Sequence, residues 1–401
     1  MKIHLIGIGG IGTSALARIY NERGHEISGS DIEDSDLLND LRGEGIKVDI
    51  GHDPINLPED INLVIYSEAI PKENVELQAA RSNRLTCKTY FEALGDISRE
   101  YKVIAVCGTH GKTTVTAMVA KVFIDAGLDP SVVIGTKMKE LGNKNYRVGK
   151  SQWLIVEACE YRRSFLHLYP DIIVLTNVEY EHPDYYKDFE DYKNAFDEFI
   201  AKLPEDGKLI TSSKEFAFDL QIPGDFNRKN AGLVMELAGK LGIDFDTATT
   251  SLQEFKGTWR RFEITEEIGN TIVIDDYAHH PTEIKATLRA AREKWPEAKV
   301  LCIFQPHQYS RTLELLHEFA RSFQDVNEVV ISNIYEVRDT EKDVAAISPE
   351  DLVEEINKVS NNARYGGGLQ NTEKILQKTA AKYDVIIKMG AGDIWEIKAS
   401  A

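Results

Sequence analysis

Short apolar runs alternate along the whole chain with stretches in which apolar residues recur every three or four positions. The runs predict strands at Ile3–Ile6, Glu26–Ser28, Leu63–Tyr66, Val103–Cys107, Leu154–Glu157, Ile172–Thr176, Thr271–Asp275, Val300–Phe304, Glu328–Ile331 and Val385–Lys388. Between them lie helical stripes such as Val115, Met118, Val119 and Val122, and a helix starting near Asn230 that carries Leu233, Leu237 and Leu241. Strand and helix in alternation give an α/β class with mainly parallel sheets. The order of turns and glycine loops divides the chain into three domains, 1–98, 99–254 and 255–401.

Composition narrows the function classes. At 401 residues the chain is long enough for two or three separate cores. Hydrophobic residues make up 42% and charged residues 28%, which excludes disorder as a description of the bulk of the chain. The net charge of −18 argues against nucleic acid, whose binding needs a broad Lys/Arg surface to displace counterions. Cys87, Cys107, Cys159 and Cys302 are far apart and form no C-x-x-C pair, so neither structural zinc nor a disulfide framework is expected. Glycines interrupt the N-terminal apolar run too early for a signal peptide, and no run of about 18 apolar residues is present for a membrane span. The expected location is the cytoplasm.

Two glycine loops carry the chemistry. Gly7, Gly9, Gly10 and Gly12 follow the first strand in G-x-G-x-x-G spacing and open a helix. Glycine lets the backbone turn and approach a diphosphate, and the helix start offers free N–H groups. Asp31, after the second strand, is placed for ribose hydroxyls. Taken alone this loop also fits NAD, and hence an oxidoreductase. Gly108-Thr109-His110-Gly111-Lys112-Thr113-Thr114 is the more specific string. It departs from the strict Walker pattern, which would have glycine where Val106 stands. Its amides can cradle phosphates, Lys112 can neutralise the outer ones, and a threonine hydroxyl can hold Mg²⁺. Glu157 and His182, at predicted strand ends, are candidate ligands to such a cation.

The second loop resembles the ATP-binding loop of the Mur ligases, which build the peptide stem of bacterial cell-wall precursors. Four later strings extend the resemblance: Gly257-Thr258-Trp259-Arg260-Arg261-Phe262-Glu263, Asp275-Asp276-Tyr277-Ala278-His279-His280-Pro281-Thr282-Glu283, Phe304-Gln305-Pro306-His307-Gln308-Tyr309-Ser310-Arg311-Thr312 and Gly390-Ala391-Gly392-Asp393. The second and third are similar to the branch that adds alanine to UDP-N-acetylmuramate. The resemblance implies a Rossmann-like UDP-binding first domain, a central P-loop ATPase-like domain and a Rossmann-like C-terminal domain. The first would hold the UDP-sugar through Gly7, Gly9, Gly10, Gly12, Asp31 and Ser67. The central domain would hold ATP through Gly108 to Thr114 with Asn177, Asn227 and Asn230, and Mg²⁺ or Mn²⁺ through Thr113, Glu157 and His182. Tyr277, His279, His307 and Arg311 would take L-alanine, with Lys112, His182, Glu157 and His279 catalytic. It implies small-molecule substrates and a monomer or homodimer. A neighbouring possibility within the family is a recycling ligase that attaches a preformed peptide.

The chain departs from the family pattern at several places. In Gly224-Asp225-Phe226-Asn227-Arg228-Lys229-Asn230-Ala231, Phe226 stands where the family has His; the string equally fits a helix start capped by Asn227, and a Phe there could pack against a base. Phe196 stands where many members carry a carbamylated lysine, a lysine that the alanine-adding branch also lacks. Glu181 replaces the usual Asp. Gln308 replaces the usual Arg, which would weaken a grip on a carboxylate or alter amino-acid choice. The chain is also several tens of residues shorter than a typical member, with the order of motifs intact, which suggests trimmed loops.

Overall fold

The predicted apolar runs become the inner strands of three sheets. The computed structural model describes residues 1–211, 216 and 219–400. These form two compact units, Met1–Phe218 with Asn230–Glu254, and Asp219–Lys229 with Phe255–Ala401.

The first unit holds two sheets. β1 (Lys2–Ile6), β2 (Glu26–Asp31), β3 (Lys47–Ile50), β4 (Leu63–Tyr66) and β5 (Cys87–Thr89) form an all-parallel sheet in the order β3-β2-β1-β4-β5. β6 (Lys102–Cys107), β7 (Ser131–Met138), β8 (Lys144–Arg147), β9 (Trp153–Glu157), β10 (Ile172–Leu175) and β11 (Lys208–Ile210) follow in the order β11-β10-β6-β9-β7-β8, parallel except for β7 and β8. Val103 to Cys107 of β6 are all buried, the continuous apolar run required of a strand covered on both faces. Both sheets share one buried cluster running from Ile3 to Phe199.

The second unit holds β12 (Glu263–Ile268), β13 (Thr271–Asp276), β14 (Val300–Phe304), β15 (Glu328–Ile331), β16 (Ala363–Tyr365) and β17 (Val385–Met389). Their order is β12-β13-β17-β14-β15-β16, with only β12 antiparallel to its neighbour.

Each sheet reverses direction of growth once: at β1, at β6, and at β17, which fills the gap between β13 and β14. Such switch points leave a crevice outside the carboxyl ends of the strands, where ligands of open α/β sheets bind. Both glycine loops and the third sheet's Tyr277–His280, Gln305–Gln308 and Gly390–Asp393 segments stand at these ends.

The strands not anticipated are β3, β5, β7, β8, β11, β12 and β16. All except β7 are sheet edges. An edge strand buries less of itself and carries more polar residues, as in Lys47-Val48-Asp49-Ile50 and Glu263–Ile268, so its apolar run is weak. The helix expected near Asn230 begins five residues earlier, spanning Asp225–Leu241. Among the described residues no helix is long and apolar enough to cross a membrane.

Candidate active site

The first loop is assembled by backbone hydrogen bonds that its glycines permit. Gly7 has φ +77°, and its N–H and that of Ile8 both donate to the Ser30 carbonyl at the end of β2 (2.8 and 3.0 Å). Gly9 donates to the Asp31 carboxylate at 2.7 Å, and a Cβ at Gly9 would lie 2.8 Å from the same oxygen. The other Asp31 oxygen accepts the Ile32 N–H. Asp31 therefore braces the loop. A Cβ at Gly7 would lie 3.1 Å from Ser67 Cβ, which puts Ser67 against the loop. The helix Ile11–Glu22 has no side-chain cap at Gly10, so its first amides remain available to an anion.

The second loop is held from β10. Gly108 has φ +134°, and a Cβ there would meet Thr176 Oγ1 at 2.0 Å. Asn177 clamps His110, accepting its N–H at 3.0 Å and donating to its carbonyl at 2.9 Å. Thr176 Oγ1 donates to the same carbonyl at 2.6 Å. Thr109 Oγ1 lies 2.9 Å from Tyr192 OH. Gly111 has φ +84° and starts the helix Lys112–Asp125 with no side-chain cap, again leaving first-turn amides. Asn230 lies beside Gly111, and its amide nitrogen is buried without a hydrogen-bond partner among the described residues. Thr114 is buried in the first turn.

Charged groups gather on this loop. Lys112 Nζ donates to Gly108 O (2.7 Å) and Thr109 O (2.9 Å) and pairs with Glu160 at 2.9 Å. Glu160 is 1% exposed and also faces His182 Nε2 at 3.3 Å. Burial opposes its ionisation, but Lys112 and His182 outweigh it and hold the carboxyl below the ordinary carboxylate range. Burial likewise opposes the charge on Lys112, and Glu160 reverses the balance and raises its pKa.

The expected metal residues fall into two groups. Thr113 Oγ1 donates to Glu157 Oε1 at 2.7 Å, and the other Glu157 oxygen accepts the Gly135 N–H at 2.8 Å. His182, at φ +59°, instead clusters with Glu160 and Glu181, their ligand atoms within 4.8 Å of one another. Carboxylate oxygens, a hydroxyl and one imidazole suit a hard divalent cation. Glu160 and Gly135 were not foreseen. Glu160 stands three residues after Glu157 in the same string, but only the fold shows that it faces Lys112.

The third sheet brings its own strings together. Arg260, 4% exposed, donates to the carbonyls of Gly390 and Gly392, and its guanidinium lies 5.1 Å from the Tyr277 ring. Arg261 covers the same ring at 4.9 Å. His279 Nδ1 is 3.1 Å from Tyr277 O and 3.4 Å from Glu283, and its ring is 5.8 Å from that of His307, which stacks on Tyr335. Gln305 donates to Asp393 at 2.6 Å and accepts Ile394 N–H. Arg311 is buried in the first turn of the helix Tyr309–Glu314. Burial pushes the Asp275 carboxyl up to about 6 in spite of Lys388 at 3.1 Å. Tyr277, His279 and His307 thus form one connected surface.

Three family models match in the order of the sheets: the Mur ligase family catalytic domain over residues 2–102, the Mur ligase middle domain over 106–215, and the Mur ligase glutamate ligase domain over 260–392. UDP-N-acetylmuramate–L-alanine ligases of Clostridium kluyveri and Clostridium acetobutylicum are 37% and 38% identical, each match covering 99% of this chain and 96% of the relative. This chain belongs to the Mur ligase family. The crystal structure of the UDP-N-acetylmuramate-alanine ligase of Thermotoga maritima has a TM-score of 0.84 at 29% identity, covering 99% of this chain and 97% of that one. A murein peptide ligase of Psychrobacter arcticus shares the fold, with a TM-score of 0.74 at 21% identity over 99% and 97% of the two chains. The match to the Clostridium kluyveri relative runs over 445 positions against 401 residues here, so this Mur ligase is shortened by internal gaps.

The departures from the Mur ligase pattern have structural answers. Phe196 is 1% exposed and packs edge-on against Phe165 and Tyr192, a core position with no role for a charged lysine. Phe226 is partly buried and packs against the core of the third sheet. Asn227 does not cap the helix. It lies inside the first turn, and its amide donates back to Pro223 O at 2.8 Å. Gln308 is 4% exposed at φ +73°, with its amide donating to Val337 O at 3.3 Å and its N–H to Tyr335 O at 3.0 Å. It is a loop brace and offers no substitute for an exposed arginine.

Proposed function

We propose that this Mur ligase joins L-alanine to the lactyl carboxylate of UDP-N-acetylmuramate with ATP, in the synthesis of peptidoglycan precursors in the cytoplasm. The observation that carries the reading is the end-to-end match, at 37% and 38% identity, to two curated ligases of that name. The two uncapped glycine-loop helices of the first unit support it, since two phosphorylated nucleotides need two such cradles.

In this reading Gly7, Gly9, Gly10, Gly12 and Ser67 hold the UDP-sugar, and Asp31 keeps their loop in shape. Gly108 to Thr114, Asn177 and the unpartnered amide of Asn230 hold ATP. Mg²⁺ or Mn²⁺, for which Thr113, Glu157 and His182 are fitting donors, supplies neutralisation of the phosphate charge. The lactyl carboxylate attacks the γ-phosphorus, ADP leaves, and an acyl phosphate forms. Lys112 stabilises the charge spread over the transferred group. The alanine carboxylate needs a cationic grip, which Arg311 supplies. His279 takes the proton from the alanine ammonium, and Glu283 at 3.4 Å supports the resulting imidazolium. The amine then attacks the acyl carbon, the amide bond forms and phosphate leaves.

The test is phosphate release from ATP with UDP-N-acetylmuramate and Mg²⁺, with and without each candidate acceptor. Release dependent on both the sugar and L-alanine is expected. Release only with a tripeptide would move the chain to the peptide-recycling branch, and no release with any acceptor would overturn the reading.

A further inference from the structure

Beneath the first glycine loop lies a polar cluster that the proposed reaction does not use. Glu76, in the first turn of the helix Val75–Ser82, is 0% exposed. Its carboxylate is reached from every side. Ser30 Oγ donates to Oε2, His52 Nδ1 stands 3.1 Å from the same oxygen, Asn56 Nδ2 donates to Oε1 at 2.6 Å, and His4 Nε2 lies 3.7 Å from it. His4 also touches Ser28 at 2.9 Å. Burial works against ionisation of Glu76, but His4, Ser30 and Asn56 together hold its carboxyl below the ordinary range. An apolar side chain would fill this space without desolvating a charge, so stability alone gives no reason for a carboxylate.

The partners of Glu76 lead to the loop. Ser30 presents the carbonyl that accepts both the Gly7 and Ile8 N–H groups. Asn56 also donates to Gly51 O at 3.0 Å, and Gly51 N–H donates to Asp31 O at 2.7 Å. Asp31 in turn fixes Gly9. One buried carboxylate therefore pins the end of β2 and the segment after β3, the two supports from which the loop hangs. We infer that Glu76 is a positioning residue for UDP-sugar binding, acting through Ser30 and Asn56 on the backbone of Gly7 to Gly9. The inference rests on the reading of that loop as the UDP-sugar site.

The experiment is Glu76→Gln in the full chain, nearly isosteric, with Ser30→Ala as a second variant that removes the hydroxyl and keeps the carbonyl. Binding of UDP-N-acetylmuramate is measured by calorimetry, and KM for each substrate and kcat by phosphate release. The Kd and KM for the UDP-sugar should rise about tenfold in Glu76→Gln, as the backbone of Gly7 to Gly9 loses its fixed position before the ligand binds. In Ser30→Ala they should rise in the same direction and by less, while KM for ATP and kcat at saturating sugar stay within twofold. An unchanged sugar Kd in both variants, or equal losses for ATP and sugar, would overturn the positioning role. Wild-type protein that binds ATP and no UDP-sugar would instead overturn the functional reading, and the inference with it. Should Glu76→Gln fail to fold, Ser30→Ala decides.

Discussion

Replacing Lys112 by alanine would strip the cation from a carboxylate that has nowhere to go. Glu160 is 1% exposed and sits 2.9 Å from Lys112 Nζ. The partner left to it is His182, with Nε2 at 3.3 Å. Removing one member of a buried pair costs about 3–5 kcal/mol through the charge left behind. The residual hydrogen bond from His182 puts this case at the lower end, about 3 kcal/mol. For a domain of about 150–250 residues that corresponds to about 6–12 °C in Tm. The sign of the pH dependence follows from the direction of the shift. In the wild type Lys112 holds the Glu160 carboxyl down, so the contribution of the pair is full above the ordinary carboxylate range and is lost as pH falls through the depressed value. In the variant, burial pushes the carboxyl up, and the site can take a proton. The Tm deficit should therefore be largest near pH 8 and shrink toward pH 5. Scanning calorimetry across that range, paired with ADP formation, checks it. ADP formation should be abolished while UDP-sugar binding survives. Equal Tm at pH 8, a deficit that grows toward acid, or normal turnover would each refute the reasoning.

His182→Ala should raise the Mg²⁺ concentration needed for half-maximal rate, and an unchanged magnesium titration would remove His182 from the metal site. Gly108→Ala places a Cβ 2.0 Å from Thr176 Oγ1 at φ +134°, so ATP binding should fall at least tenfold by about 1.4 kcal/mol or more, measured by calorimetry. Gln308→Arg would bury a guanidinium at a site 4% exposed and cut the contact with Val337 O. It should raise KM for alanine and lower Tm, and a lowered KM would show that the position does face the amino-acid carboxylate.

Inner strands were legible because burial on both faces leaves little choice of residue. Val300–Phe304 and Leu63–Tyr66 have the bounds their apolar runs predict. Edge strands were silent for the opposite reason: Ala363-Arg364-Tyr365 is half-buried throughout and reads as loop. β7 was missed although it is not an edge, because Gly135 interrupts its run, and that glycine is where the backbone comes close enough to donate to Glu157. Glycine loops were legible as well, since positive φ at Gly7, Gly108 and Gly111 and close approach of neighbours restrict these positions to glycine.

Which charge faces which was not legible, because spacing along a chain does not fix pairing across a sheet. His182 and Glu157 share a proposed task yet take different partners, and the residue that links His182 to Lys112 is Glu160. This bears on how the nucleotide must enter. Lys112 is already engaged by Gly108 O, Thr109 O and Glu160. A triphosphate therefore gains only the difference between its own oxygens and those three, and affinity on this loop reflects exchange more than a vacancy. The compensation is order. The ammonium is fixed at the head of an uncapped helix before the phosphates arrive, so little side-chain entropy is lost on binding, and the stabilisation it gives can be directed to the charge that develops on the transferred phosphoryl group.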